Sequence, residues 1–201
     1  GGPRSAHHGR GPRSANGGGR SGRGNWNRPE ENVHSGPRDN PRASVLDRKL
    51  TAAARLFLED EPTGVLLFVN GPGSVKTVVE KLRNLGVWWA LPLSGSMDVE
   101  ERARVVKRLA KASRGDLDDS IPGEVLVATD VASRGLDPPL LSHVVNIDVP
   151  KNVKTYAHRA GRCGRAGRPG LVVTLAGNET EAQLCEQLAD QVGARITRIN
   201  I

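Results

Sequence analysis

Cysteine is almost missing from this chain. Cys163 and Cys185 are the only two in 201 residues, with no second pair at metal-ligand spacing, which excludes a disulfide scaffold and a thiolate zinc site. A reducing compartment fits. Long apolar runs are missing too: none approaches the roughly 20 residues needed to span a bilayer, and no short apolar block follows a charged start as in a secretory signal. No membrane partner is expected. Residues 1–43 contain no lysine, three acids and one aromatic, Trp26, against eight arginines.

That first segment therefore holds a net +5 of the chain's +7. It consists of Gly, Arg, Ser, Pro and Asn and cannot bury enough apolar surface to offset the entropy of ordering. Stretches such as 17–24 (GGGRSGRG) suit threading between phosphates: glycine supplies backbone freedom, arginine charge-assisted bonds, and Trp26 a stacking face. The partner expected from this tail is RNA within a large RNA–protein particle that holds it.

From Ser44 to residue 201 helix-like and strand-like segments alternate, the signature of a parallel α/β sheet. The pattern predicts helices over 44–60, 75–85 and 98–112, and strands over 64–69, 87–93, 124–129, 143–148 and 170–175. A last long helix from Asn178 places Leu184, Cys185, Leu188 and Val192 on one face, and an edge strand is expected over 194–199. Asp98 with Glu101, and Asn178 with Glu181, read as helix-start pairs. Trp88 and Trp89 fall in a predicted strand, one facing the core and one outward. The acids of the loop 111–124 read as a solvated insertion and docking point.

Two segments carry chemistry. In 158–170 (HRAGRCGRAGRPG), His158, Arg162 and Arg165 recur at i, i+4 and i+7 and would share one helical stripe. Gly161 and Gly164 between them weaken a helix but let a phosphate approach, and arginine's planar fork suits phosphate oxygens. In 125–137 (VLVATDVASRGLD) an apolar run that reads as a buried strand ends in Thr129 and Asp130. In a parallel sheet, ligands sit beyond such strand ends. The run 71–77 (GPGSVKT) looks like a phosphate-binding loop, but Val75 stands where the loop needs glycine, so no nucleotide is expected there.

These two segments resemble motifs V and VI of DEAD-box RNA helicases, and 66–70 (LLFVN) resembles the strand carrying motif IV. The resemblance covers roughly residues 45–201 and implies the second RecA-like domain. It implies that Arg162 and Arg165 are arginine fingers on the γ-phosphate, that Asp137 contacts the nucleotide ribose, and that His158 couples the nucleotide site to RNA. Thr129, Asp130, Arg134 and Gly135 match positions along the RNA backbone. Arg102, in the first turn of the 98–112 helix, matches a phosphate contact, whereas Arg159 reads as structural and paired with a carboxylate. The chain departs from the family at Val99, where a Gln is usual, and at Ser94 and Ser96, in place of His and Asp.

The resemblance implies ATP with Mg2+ as cofactor, contacted from this side only. The P-loop lysine, the Asp-Glu-Ala-Asp carboxylates and the adenine-reading glutamine are absent, so turnover requires a first RecA-like domain in cis or trans. A start at Gly1-Gly2 fits a processed protein, a portion of a longer helicase, or a relic without its partner domain. The function expected is that of the C-terminal domain of an ATP-dependent RNA helicase remodelling RNA, rRNA above all, during ribosome assembly. The alternative is a helicase-derived assembly protein that binds rRNA or ribosomal proteins without turnover. The Arg-rich, acid-poor start points to the mitochondrion, with the nucleolus as alternative.

Overall fold

The computed structural model describes residues 44–114, 116, 123–134, 141–164 and 167–199. The tail 1–43, the middle of the 111–124 loop, Gly135, Asp137 and Arg165 lie outside them.

Five parallel strands form one sheet in the order β2-β3-β1-β4-β5: β1 Val65–Phe68, β2 Ala90–Leu93, β3 Val125–Ala128, β4 His143–Asn146 and β5 Leu171–Thr174. β1 and β3 are buried at every position, which is why VLLF and VLVA are apolar runs rather than alternations. Helices α1 (Val45–Glu59) and α2 (Pro72–Asn84) pack through Leu50, Phe57, Val78 and Leu82 on Val65, Leu67, Val125 and Val127. Helix α3 (Val99–Ala112) covers the opposite set, Leu66, Leu93 and Leu126, through Leu109. Helices α4 (Val153–Ala160) and α5 (Glu179–Gln191) share a smaller cluster of Tyr156, Cys185, Leu188 and Ala189. No helix among the described residues is long and apolar enough to cross a membrane.

The helix starts follow from local chemistry. Ser44 and Asp47 form a reciprocal capping box on α1, Asp98 accepts from the Glu101 N–H at 2.7 Å, and Asn178 from the Glu181 N–H at 2.9 Å, each satisfying an orphan donor of the first turn. Helix α2 begins at Pro72, earlier than expected, because proline's missing N–H costs nothing at the first helical position.

The remaining differences also have physical causes. Trp88 and Trp89 precede β2, in a turn after Gly86 at φ +97°; without strand alternation both pack on the α1–α2 cluster, edge to face at 5.5 Å. Residues 194–199 form no strand: Ile196 and Ile199 are three apart, so no single face is apolar, and Arg198 is drawn to Glu179. Val192 caps α5 and is exposed rather than buried. Glu124 is not a solvated acid of the loop; it is fully buried.

Candidate functional site

The carboxyl ends of β1, β3 and β4 meet around one side chain. Arg159, on α4, is 1% exposed and has all five N–H donors engaged. Its Nε and Nη2 grip the two Asp130 oxygens, each at 2.8 Å, in a bidentate pair beyond β3. Nη2 also donates to Asn70 Oδ1 at 2.8 Å, beyond β1. Nη1 donates to Asn146 Oδ1 at 3.1 Å and to the Asp148 carbonyl at 2.9 Å, at the end of β4. The guanidinium lies over the Phe68 ring, 4.9 Å from its centroid, so the buried charge also meets a π face. Asp148 in turn accepts from the Asn70 N–H at 2.7 Å. One arginine thus ties three strand ends to α4, in the structural role its sequence context predicts.

Beyond β3 the chain turns through Thr129, Asp130, Val131, Ala132, Ser133 and Arg134. Thr129 is buried, and its Oγ1 accepts from the Ala132 N–H at 3.2 Å; Ser133 Oγ donates to the Asp130 carbonyl at 3.0 Å. Arg134 is exposed. Asp130 was expected on the RNA side; both its oxygens are held by Arg159, so that it braces the turn. Arg102, half-buried in the first turn of α3, donates through Nη2 to the Ala132 and Arg134 carbonyls. The expected phosphate contact is thereby also the strut of this turn. Val99, one turn earlier, is 84% exposed, and Ser94 and Ser96 bond to each other at 2.9 Å.

The predicted stripe of His158, Arg162 and Arg165 does not form as one helix face. Helix α4 ends at Ala160 with Gly161 as cap, and the chain continues as turns to Gly164 at φ +69°, a conformation that favours glycine. His158 stands exposed on α4, Arg162 half-buried just past its end, and Arg165 lies outside the described residues, as do Gly135 and Asp137. Cys163 is buried and bridges to Leu141; burial pushes its thiol pKa up, which keeps it a filler rather than a nucleophile. In 71–77 the helix starts at Pro72 and Val75 packs in the core, so no phosphate-cradling loop precedes Lys76.

Sequence reasoning missed the partners of Arg159. Asn146 ends an apolar run and is fully buried, and a polar amide there needs a partner; that signal was available, whereas Asn70 is exposed and gave none. Glu124 gave none, since a Pro-Gly-Glu sequence reads as a turn.

Comparison with known proteins agrees with this geometry. The model of the helicase conserved C-terminal domain matches residues 48–167. The ATP-dependent rRNA helicase RRP3 of Yarrowia lipolytica is 32% identical over 148 residues, 74% of this chain and 28% of that protein. The crystal structure of Escherichia coli DEAD-box protein SrmB, bound to regulator of ribonuclease activity A, superposes with a TM-score of 0.65 and 32% identity over 78% of this chain and 85% of that one. Saccharomyces cerevisiae Dbp5 bound to RNA and ADP BeF3 gives 0.64 and 25% identity over 77% and 39%. The chain spans less than a third of the length of the curated relatives it matches. With motifs IV, V and VI converging on one sheet crest and the family model matched over more than half its length, the chain belongs to the helicase conserved C-terminal domain family and is the C-terminal, RecA-like domain of a DEAD-box RNA helicase.

Proposed function

We propose that this domain grips the RNA backbone and completes an ATP site from across an interdomain cleft, within an ATP-dependent helicase whose first RecA-like domain acts in cis or trans. The observation that carries the reading is the braced crest: Arg159 and Arg102 fix the turn 129–134 beside the end of α4. Thr129, Arg134 and Gly135, with Arg102, offer a hydroxyl, two cations and a close-approach glycine to a sugar-phosphate chain. His158 links that side to the nucleotide, Arg162 and Arg165 meet the γ-phosphate, and Asp137 accepts from the ribose hydroxyl.

The donor set fits the phosphate side of ATP, since guanidinium forks match its oxygens. The Mg2+ ligands are assigned to the first domain, as the family resemblance implies. Bound ATP supplies the phosphoryl chemistry whose turnover resets the closed cleft. This chain's part is to position arginines at the charge that develops and to hold a bent RNA backbone. The substrate we propose is rRNA in a ribosome-assembly particle, the tail threading its phosphates, in the mitochondrion; an rRNA helicase among the relatives supports the substrate class. A second reading, an assembly protein without turnover, is favoured by exposed Val99 and the internally bonded Ser94 and Ser96, which remove polar contacts beside Arg102.

RNA-stimulated ATPase activity of the protein isolated from its source decides between them. In the first reading, Arg162→Ala with Arg165→Ala abolishes turnover while the circular dichroism spectrum is unchanged. Undiminished turnover refutes the finger assignment, and no hydrolysis by the native protein selects the second reading.

A further inference from the structure

Glu124 immediately precedes β3 and has no exposed surface. Its Oε2 accepts from Arg108 Nε on α3, while Oε1 has no hydrogen-bond partner among the described residues. An ionised carboxylate so placed is costly. Burial raises its pKa from the ordinary carboxylate range to about 7, outweighing the opposing pull of Arg108 and Arg83. Arg83, near the end of α2, donates to the Ala90 carbonyl through Nε and Nη2 at 3.0 and 2.8 Å, not to the free oxygen. The neighbouring strands bring Val65 and Ala90 alongside Val125 at this end of the sheet, neither of them titratable.

Helix α3 is pinned by arginines to both ends of β3. Arg108 reaches Glu124 before the strand, and Arg102 reaches Ala132 and Arg134 after it. Only Leu109 and Ala112 of the helix's residues are buried, both beyond Arg108, and between the two arginines Val105 and Val106 are only partly buried against the same cluster, so the polar pins carry part of this helix's seating. A change at the Glu124 pin is therefore felt at the Arg102 pin.

We propose that Glu124 is a proton-operated latch: neutral, it lets α3 close on β3 with Arg102 holding the turn 129–134, and ionised, it draws water beneath the helix and slackens that hold. The consequence for RNA rests on the proposed reading of that turn as RNA-facing. The direction follows from linkage. A carboxyl whose closed-state pKa is raised favours closure most below its ordinary value, 4.5, and the advantage is lost as pH rises through about 7. Arg108 moderates the loss without reversing it, because burial is the larger influence.

Hydrogen exchange of the full 201-residue chain, corrected for intrinsic rates and read on α3 peptides with α5 as internal reference, tests the latch. One proton bound with these two pKa values makes α3 opening rise about tenfold between pH 6 and pH 8.5. Glu124→Gln, isosteric with the neutral acid, should hold opening at the low level throughout. Arg108→Met, which removes one pin and leaves an ionisable Glu124 without its counter-charge, should raise opening more at pH 8.5 than at pH 6, and this steeper slope decides the matter should the glutamine variant fail to fold. Flat opening in the natural chain, or a slope that survives Glu124→Gln, overturns the proposal. Binding of labelled poly(U) over the same range separates the two layers: affinity that falls as α3 opens, and stays constant in Glu124→Gln, supports both. Opening without any change in affinity leaves the latch and refutes the RNA-facing assignment of the turn.

Discussion

Removing one partner of the Arg159–Asp130 pair should cost far more than surface ion pairs do, and the two directions should differ. Asp130→Ala leaves a guanidinium that is 1% exposed with its Nε and one Nη2 donor unsatisfied. Breaking a buried pair from one side costs about 3–5 kcal/mol, a large part of the roughly 5–15 kcal/mol that holds a domain folded. Arg159→Met removes the buried charge itself. Asp130, with 36% of its side chain exposed, and exposed Asn70 can then turn to water. The stranded group is Asn146, fully buried, whose Nδ2 keeps Thr174 at 3.0 Å while its Oδ1 loses its donor. One unsatisfied buried acceptor with the lost charge-assisted bonds amounts to about 2–4 kcal/mol. The double variant Arg159→Met/Asp130→Ala should cost no more than the single arginine change, giving a coupling energy of about 3 kcal/mol or more. Urea unfolding followed by circular dichroism reads these values; with a slope of about 2 kcal/mol per molar, Asp130→Ala should shift the midpoint by about 2 M. A cost below about 1 kcal/mol for Asp130→Ala, or strict additivity, would refute the view that this pair braces the crest.

Two glycines should answer alanine oppositely. A Cβ at Gly123 would lie 2.2 Å from the Pro62 carbonyl oxygen, a backbone atom that cannot swing away, so Gly123→Ala should destabilise by about 1–3 kcal/mol; at Gly73, inside α2, nothing lies within 4 Å and alanine should stabilise by about 0.5–1 kcal/mol. Thermal melting of both variants checks the contrast, and a fall in midpoint for Gly73→Ala would count against it. Lys81 and Ser44 hold the Asp47 carboxyl at about 2, so the stability its pairing contributes is present above the ordinary value of 3.8 and lost as pH falls toward 2. Acid titration of Asp47→Asn should lack that component.

The sheet was legible because β1, β3 and β4 are short β-branched and leucine runs bounded by polar residues, and the cap pairs at Asp98 and Asn178 mark helix starts unambiguously. The edge strand at 194–199 was not, since two isoleucines in a basic segment satisfy a strand count without making a face. The arginine stripe failed for a related reason: spacing of i, i+4 and i+7 describes a helix only while the backbone remains helical, and Gly161 ends it. Motif chemistry placed Thr129 and Asp130 just beyond a buried strand, as β3 shows, but not which groups face each other. That Asp130 belongs to Arg159, and that Arg102 reaches two carbonyls across 30 and 32 residues, are facts of tertiary contact that no local pattern encodes.

The division of labour among arginines follows from these contacts. Arg159 satisfies all five donors within the protein and is screened from solvent, so it can fix positions but cannot answer a ligand. Arg134 sits on the turn that Arg159 fixes and is exposed, and Arg102, partly exposed, reaches that turn from α3. A phosphate site that must appear only in a closed complex needs cations whose backbone anchors are rigid before the ligand arrives, since an arginine that had to be ordered on binding would forfeit about 2 kcal/mol of rotamer entropy. Anchoring the turn through Asp130 on one side and through the Ala132 and Arg134 carbonyls on the other meets that requirement from two elements, α4 and α3, that lie on different parts of the sheet. Motion of either element therefore changes the same turn, and that shared dependence is what would let a buried carboxyl at the far end of β3 act on the turn 129–134 proposed to meet RNA.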